Sequence, residues 1–165
     1  MPHRAFSFTL QAMAITLASA VPALVGARAA MAAEFRATAD AAAVLYDAPS
    51  AKAKPLFVFG RDTPLEVIVP LEGWIKVRDV TGSIGWVEKK MLSDKRSLVV
   101  RASLAEVLAS PEPDAPLVFR AERNVLLELA EPASSAATTA APGWVKVRHR
   151  DGQVGFVRIA QIFGL

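Results

Sequence analysis

Hydrophobic and polar residues alternate along most of this chain with a period of two. In one example, Leu65, Val67 and Val69 alternate with Glu66 and Ile68, of which Glu66 is charged. This period is typical of β-strands that bury one face. The best helical candidate, Ser103 to Ala109, is short and runs into proline-rich sequence that cannot continue a helix. We therefore predict an all-β chain.

A fifteen-residue stretch occurs twice, first as "GWIKVRDVTGSIGWV" (73–87) and then as "GWVKVRHRDGQVGFV" (143–157). Eight positions are identical, and the register holds without a gap. The preceding segments also correspond, because "VLYDAP" and "PLFVFGRDTPLEVI" are followed later by "VLASP" and "PLVFRAERNVLLEL". Such a repeat indicates two copies of one folding unit. Units of about 60 residues are marginally stable alone, so we expect the two to support each other.

Glycine marks the same places in both copies. Asp151-Gly152, and more weakly Thr81-Gly82, separate two apolar runs and predict hairpin turns. Gly85 and Gly155 instead lie inside a strand run. An interior glycine weakens a strand, so its repetition predicts either a bulge or a close approach of another backbone. Short strands with frequent turns are typical of a small barrel or sandwich, here with five or so strands in each unit.

The pattern W-x-K-V-R followed by G-x-x-G-W/F-V resembles the close of the bacterial SH3-like (SH3b) module. In the first copy the resemblance covers nearly the whole module, from "VLYDAP" to "WVEKKML". It implies two tandem SH3-like β-barrels, unit one at residues 34–96 and unit two at 97–165. Two features depart from the family. The first strand reads "AAAVLYDAP" where the family has an Asn-Val-Arg-like stretch, and unit two carries an insert, Glu131 to Pro142.

Residues 1–33 have the order of a secretory signal peptide. A short positive start leads into an apolar run, Phe6 to Val25, which closes on small residues at "ARA" and "AMA". The competing interpretation is a transmembrane anchor, but the run contains Gln11 and Pro22 and ends at cleavable motifs. The chain has no cysteine, which excludes a lipoprotein anchor, disulfides and thiolate sites. We expect a periplasmic or secreted protein with no membrane insertion after cleavage.

Removal of the signal peptide also changes the charge. The whole chain has 19 basic and 16 acidic residues, a net charge of +3. Loss of Arg4 and Arg28 leaves 17 basic against 16 acidic residues, a net charge of +1. Nucleic-acid binding requires a clustered basic footprint, which the sequence does not show, so we predict no nucleic-acid partner.

The candidate ligand-binding residues are aromatic and basic side chains, most of them in the repeated hairpin. They are Tyr46, Asp47, Trp74, Trp86, Lys76, Arg78, Trp144 and Phe156. SH3-type domains hold extended peptides in aromatic-lined grooves. The alternative is that each aromatic packs the core, which a small barrel needs. The basic pair recurs as Lys146 and Arg148, either to meet carboxylates of cell-wall peptides or as a solvated strand face. The alignment sets Ala109 and Ser110 of unit two against Tyr46 and Asp47 of unit one.

No catalytic constellation is evident. The sequence lacks a cysteine nucleophile, a G-x-S-x-G elbow and histidine pairs at metal-ligand spacing, and His149 is the one histidine beyond the signal peptide. We therefore expect a non-enzymatic protein with no cofactor and no metal. The resemblance implies that it binds peptidoglycan or an envelope protein. Three hypotheses remain open: a cell-wall binding module, a protein-interaction adaptor and a small envelope enzyme.

Overall fold

The computed structural model describes residues 33–130 and 142–165, so the predicted signal peptide up to residue 32 and the insert at 131–141 lie outside the described residues. The first part forms a seven-stranded antiparallel sheet of order β3-β2-β6-β5-β4-β1-β7. Its strands are β1 (Phe35–Thr38), β2 (Ala43–Tyr46), β3 (Pro55–Phe59), β4 (Pro64–Leu71), β5 (Trp74–Arg78), β6 (Ile84–Glu88) and β7 (Leu92–Ser93). A single 3₁₀ turn, Lys89–Met91, precedes β7.

The second part repeats this sheet strand for strand. Its strands are β8 (Ser97–Val100), β9 (Leu104–Leu108), β10 (Leu117–Glu122), β11 (Leu126–Leu129), β12 (Trp144–Arg148), β13 (Val154–Arg158) and β14 (Ile162–Phe163). They lie in the order β10-β9-β13-β12-β11-β8-β14, which is the order of the first sheet. A 3₁₀ turn, Ile159–Gln161, again precedes the last strand. The all-β prediction is confirmed, and the two matching antiparallel sheets are consistent with two SH3-like domains.

Each sheet has two strands that the sequence pattern did not reveal. β1 and β8 are only four residues long, and β7 and β14 have two residues each. Two residues are too few to show an alternation, and β1 and β8 lie outside the repeated segments, so the expectation of about five strands per unit was too low. The one segment with some helical character, Ser103 to Ala109, contains strand β9 instead. No α-helix occurs anywhere in the part of the chain that the structure describes.

One face of each sheet carries a hydrophobic core. The first core consists of Ala43, Leu45, Phe59, Leu65, Ile75, Val77 and Val87. The second consists of Leu98, Val100, Ala105, Val107, Ala121, Leu127, Val145, Val147, Val157 and Ile162. Every residue of the first core comes from the first sheet, and every residue of the second from the second sheet. Since no other layer covers these faces, each sheet must curl around its own core.

The interior glycines mark a close approach of two strands. A Cβ atom built on Gly85 would lie 2.7 Å from the carbonyl oxygen of Tyr46, and one on Gly155 would lie 2.6 Å from that of Leu108. Both distances are far below van der Waals contact. The β5–β6 and β12–β13 registers run through these glycines without a shift. Of the two alternatives, close backbone approach is therefore confirmed, and the glycines are not bulges.

Strand β8 joins the two sheets because both of its faces are buried. Leu98 and Val100 belong to the second core, whereas Val99 points the other way and is still only 4% exposed. Val99 pairs with Phe163, whose ring packs edge-on against Phe35 of the first sheet with centroids 5.1 Å apart. The second sheet therefore packs directly on the first through this strand.

A lysine in the connector between the sheets binds both of them. Lys95 Nζ lies 3.0 Å from Asp62 Oδ1, in the turn between β3 and β4, and 3.1 Å from Glu128 Oε1 on β11. These hydrogen bonds, first to Asp62 and then to Glu128, raise the pKa of Lys95 above its ordinary value. The side chain is 44% exposed, so solvent screening keeps the energetic contribution small.

Substitution of Gly85 by alanine is expected to destabilise the protein. The new methyl group would collide with the Tyr46 backbone and the Leu45 side chain. Overpacking of this kind costs about 1–3 kcal/mol of unfolding free energy. Urea unfolding monitored by circular dichroism measures the loss. Gly60→Ala is the matched control, since its added Cβ meets nothing within 4 Å. Equal stability of the two variants would contradict the close-approach explanation.

Substitution of Lys95 by glutamine is expected to lower stability by at most about 1 kcal/mol at pH 8, as for other exposed ion pairs. A lysine whose folded pKa is raised contributes stability below its unfolded pKa, and loses that contribution as pH rises through the folded pKa. The difference between wild type and Lys95→Gln should therefore shrink at strongly alkaline pH. Chemical unfolding of both proteins at pH 8 and at strongly alkaline pH tests this. A difference in unfolding free energy that does not change with pH would refute it.

Candidate functional site

The outer face of the first sheet carries the predicted ligand-binding side chains of unit one. Ile75 and Val77 of β5 are 3% and 0% exposed and point into the core. Because side chains alternate along a strand, Trp74, Lys76 and Arg78 point outward, and all three are half-buried. The basic pair of unit one therefore shares a face of β5 with Trp74.

Three strands bring aromatic side chains together on this face. Tyr46 of β2 pairs with Trp86 of β6, and Trp86 pairs with Lys76 of β5. The Tyr46 ring also meets Trp74 edge-on, with centroids 5.6 Å apart and planes at 84°. We call Tyr46, Trp74, Trp86 and Lys76 the aromatic face. Its side chains are half-buried and none belongs to the first core, so they combine contact with a neighbour and access to solvent.

The two basic residues of this surface differ in their availability. The Arg78 guanidinium is held 3.0 Å from Glu66 Oε2 on the adjacent strand. Lys76 Nζ lies 5.7 Å from the Trp86 ring centroid, a cation–π geometry, and forms no ion pair with any described carboxylate. Lys76 is therefore the cation of this face that a ligand carboxylate can approach without displacing a protein carboxylate.

Asp47 has a structural role in this arrangement. Its Oδ1 atom accepts a hydrogen bond of 3.0 Å from the Lys54 backbone amide, and its own amide donates to the Lys54 carbonyl oxygen. These bonds close the loop between β2 and β3, as aspartate often does in turns. Asp47 is exposed and lies next to Tyr46, so it borders the aromatic face and fixes the loop beside it.

Exposed aliphatic side chains extend the surface on its β4 side, which sequence reasoning missed. Val69 pairs with Lys76 and is 44% exposed, and Leu71 pairs with Trp74 and is 49% exposed. Their alternation was visible in the sequence, but a register shift between Val67 and Val69 means that the alternation alone does not tell which face they share.

A carboxylate and a lysine flank the aromatic face on its other side. Glu88 pairs with Trp74 across β5 and β6, and its Oε2 atom lies 2.6 Å from Lys90 Nζ. The hydrogen bond to Glu88 raises the pKa of Lys90 above its ordinary value. The Glu88 charge is thereby balanced locally, which leaves Lys76 as the dominant charge within the face.

The corresponding surface of unit two is built differently. Trp144 is only 7% exposed, and the Arg158 guanidinium carbon lies 4.6 Å from its ring centroid. Arg158 pairs with Trp144 where Glu88 pairs with Trp74. Lys146 Nζ lies 5.9 Å from the Phe156 ring, as Lys76 does from Trp86. The basic–aromatic pairing is therefore shared by the two units, whereas the repeated tryptophan is half-buried in unit one and buried in unit two.

The predicted correspondence of Tyr46 and Asp47 with Ala109 and Ser110 is wrong by one position. Leu108 pairs with Phe156 just as Tyr46 pairs with Trp86. The Ala109 amide donates to the Pro116 carbonyl oxygen, as the Asp47 amide does to that of Lys54. The letter match misplaced the pair because "VLASP" is one residue shorter than "VLYDAP". Unit two therefore has Leu108 in place of the tyrosine, and this leucine is 7% exposed.

His149 takes part in a turn and has no metal-ligand partners in the described ranges. Its Nδ1 atom lies 3.0 Å from Asp151 Oδ1, and its ring packs against Phe119 at 5.7 Å. Hydrogen bonds to the Asp151 carboxylate lower its pKa below the ordinary value; the backbone amide of Gln153 contributes most and the His149 side chain second. Residues 33–130 and 142–165 contain no group of three or more histidine, aspartate or glutamate side chains placed to hold a metal ion.

Comparison with known proteins supports the family resemblance for unit one. Residues 39–94 match the family model of the bacterial SH3 domain. The match includes every residue of the aromatic face, and unit two lies outside it. No curated protein is similar to this chain. Within the described ranges, no helix has the length and hydrophobicity needed to cross a membrane.

Solved structures with some likeness include NlpC2 from Trichomonas vaginalis, which is 11% identical with a TM-score of 0.35. That likeness covers 80% of this chain and 48% of the NlpC2 chain. An NlpC/P60 family protein from Bacillus cereus is 15% identical with a TM-score of 0.32, over 78% of this chain and 55% of the other. The chain thus spans about half the length of these structures.

Proposed function

We propose that this chain is a non-enzymatic binding protein of the bacterial envelope, and that unit one holds a cell-wall peptide on its aromatic face. The observation that carries the proposal is the cluster of Tyr46, Trp74 and Trp86 on the outer surface of the segment that matches the bacterial SH3 domain. SH3-type domains hold extended peptides against such aromatic surfaces. Export by the predicted signal peptide would bring this surface to the cell wall.

The charge of the aromatic face favours a ligand with carboxylate groups. Lys76 is the one cation within the face that no described carboxylate binds, and it lies beside Trp86. A peptide carboxylate at Lys76 would sit next to apolar surface, where a charge-assisted hydrogen bond is stronger than in water. Cell-wall stem peptides combine carboxylates with short apolar side chains, so peptidoglycan is the proposed partner.

An adaptor role for a protein partner is the second candidate, favoured by strand β3. Leu56, Phe57 and Val58 are 48%, 57% and 57% exposed on a strand at the edge of the first sheet. Exposed apolar edge strands are sites of strand addition by other chains. A pulldown from periplasmic extract with the full chain tests this role, and recovery of no partner above background would count against it.

Replacement of the unit-one side chains by those of unit two is expected to abolish most of the binding to peptidoglycan. The variant Tyr46→Leu/Trp86→Phe introduces the residues that Leu108 and Phe156 place at the same positions, so both fit the fold. Tyr46→Leu removes one aromatic contact, worth about 0.5–1.5 kcal/mol, and Trp86→Phe replaces the indole by a smaller ring, so the two changes together should weaken retention about tenfold. Cosedimentation of the full chain with purified peptidoglycan measures this.

Lys76→Gln provides the electrostatic arm of the same experiment. It should weaken retention most at low ionic strength, where charge attraction is least screened. Arg120→Gln, at an exposed position on β10 of unit two, is the charge-matched control and should bind as wild type does. Retention of the double variant at the wild-type level, or no retention of the wild-type chain at low salt, would refute the proposed site.

A further inference from the structure

A second concave surface lies between the two sheets, away from the aromatic face. Two equivalent turns form it. The β3–β4 turn contains Arg61 and Asp62, and the β10–β11 turn contains Asn124. Asp62 and Asn124 both adopt positive φ, 61° and 69°, which confirms that they occupy the same place in the repeat. The cleft between the turns has a volume of about 500 Å³ and is closed on its other side by Glu128, His149 and Arg150.

The charges that line this cleft leave two guanidinium groups available. Its two carboxylates, Asp62 and Glu128, both contact Lys95 Nζ, at 3.0 and 3.1 Å. Arg61 approaches Asp62 only to 3.8 Å and is 71% exposed. Arg150 has no ion pair among the described residues. The lining thus holds three cations, Arg61, Lys95 and Arg150, against these two carboxylates, a net charge of +1. Because both carboxylates contact Lys95, the guanidinium groups of Arg61 and Arg150 retain hydrogen-bond donors for a ligand.

A neighbouring cavity continues the basic surface past Asn124. It measures about 470 Å³ and is lined by Val80 and Thr81, in the β5–β6 turn of unit one, and by Arg101, Arg123 and Asn124 of unit two. No carboxylate lines this cavity. Arg123 precedes Asn124 as Arg61 precedes Asp62, so the duplication has brought two arginine-bearing turns to one place. The chain as a whole is close to neutral beyond the signal peptide, and here its positive charge is concentrated.

We propose that the cleft between the sheets binds a small oligo-anion, a molecule with two or more phosphate or carboxylate groups. Arg61 and Arg150 would bind one group, since the planar guanidinium matches both oxyanions in a bidentate manner. Asn124 would offer its amide at the junction, and Arg101 and Arg123 would bind a further group of a longer molecule. This site shares no residue with the aromatic face and is independent of the function proposed for it.

Isothermal titration of the full chain with tripolyphosphate at low ionic strength tests the site. The variant Arg61→Gln/Arg150→Gln should lose at least about tenfold in affinity, because it removes two charge-assisted contacts. Lys52→Gln/Lys89→Gln removes the same charge from exposed positions elsewhere and should bind as wild type does. A parallel titration with citrate distinguishes the two ligand chemistries. Binding of tripolyphosphate alone identifies a phosphate site, binding of citrate alone identifies a carboxylate site, and binding of both identifies a site that accepts either group.

Amide chemical shifts locate the ligand. Addition of the bound anion should shift the Asn124, Leu126 and Arg150 amides, and the Tyr46→Leu/Trp86→Phe variant should respond in the same way. The inference is overturned if neither anion binds, if both double variants weaken binding equally, or if the shifts lie only outside the cleft. Unchanged thermal unfolding of both double variants shows that a loss of affinity is not a loss of fold.

Discussion

The contact between β2 and β6 is the constraint on which both the fold and the candidate site depend. The two strands come so close at Gly85 that any side chain there would overlap the Tyr46 backbone. This approach joins the β2–β3 hairpin to the rest of the sheet, since Tyr46–Trp86 is the pair that links them. The same pair places two aromatic rings side by side on the outer face. Gly85 therefore permits both the close packing of β2 on β6 and the pairing of Tyr46 with Trp86. Gly155 permits the same pairing of Leu108 with Phe156 in unit two.

Much of this architecture could be predicted from the sequence because the repeat and the period-two pattern are local signals. Gly73 to Val87 specified two strands, their turn and the face of each side chain. The four-residue strand β8 and the two-residue strand β14 gave no such signal, because their pairing is decided by partners far along the chain. The same limit explains the mistaken counterpart of Tyr46. Letters alone aligned it with Ala109, whereas the hydrogen-bond register aligns it with Leu108.

The candidate site was only partly predictable for a related reason. Alternation tells which residues share a face, but it does not tell whether a second element covers that face. Trp74 and Trp144 hold equivalent places, yet Arg158 lies over the ring of Trp144, which is buried, whereas Trp74 has Glu88 at the corresponding position and is half-buried. The cleft between the turns was invisible in the sequence, because Arg61 and Arg150 are 89 positions apart and meet only when the two sheets pack.

Strand β8 is buried on both faces, so the two sheets of the duplicated chain depend on each other for part of their stability. A module that folded alone would be expected to expose polar residues on this side, but Val99 of β8 and its partner Phe163 of β14 are apolar there. Separation of the two sheets would expose this apolar side to water, so the contact stabilises both sheets. Because of this contact, neither unit has to reach full stability through its own core alone. The outer surfaces of the two units can therefore differ, as the half-buried Trp74 and the buried Trp144 do, while the contact between the sheets stabilises both.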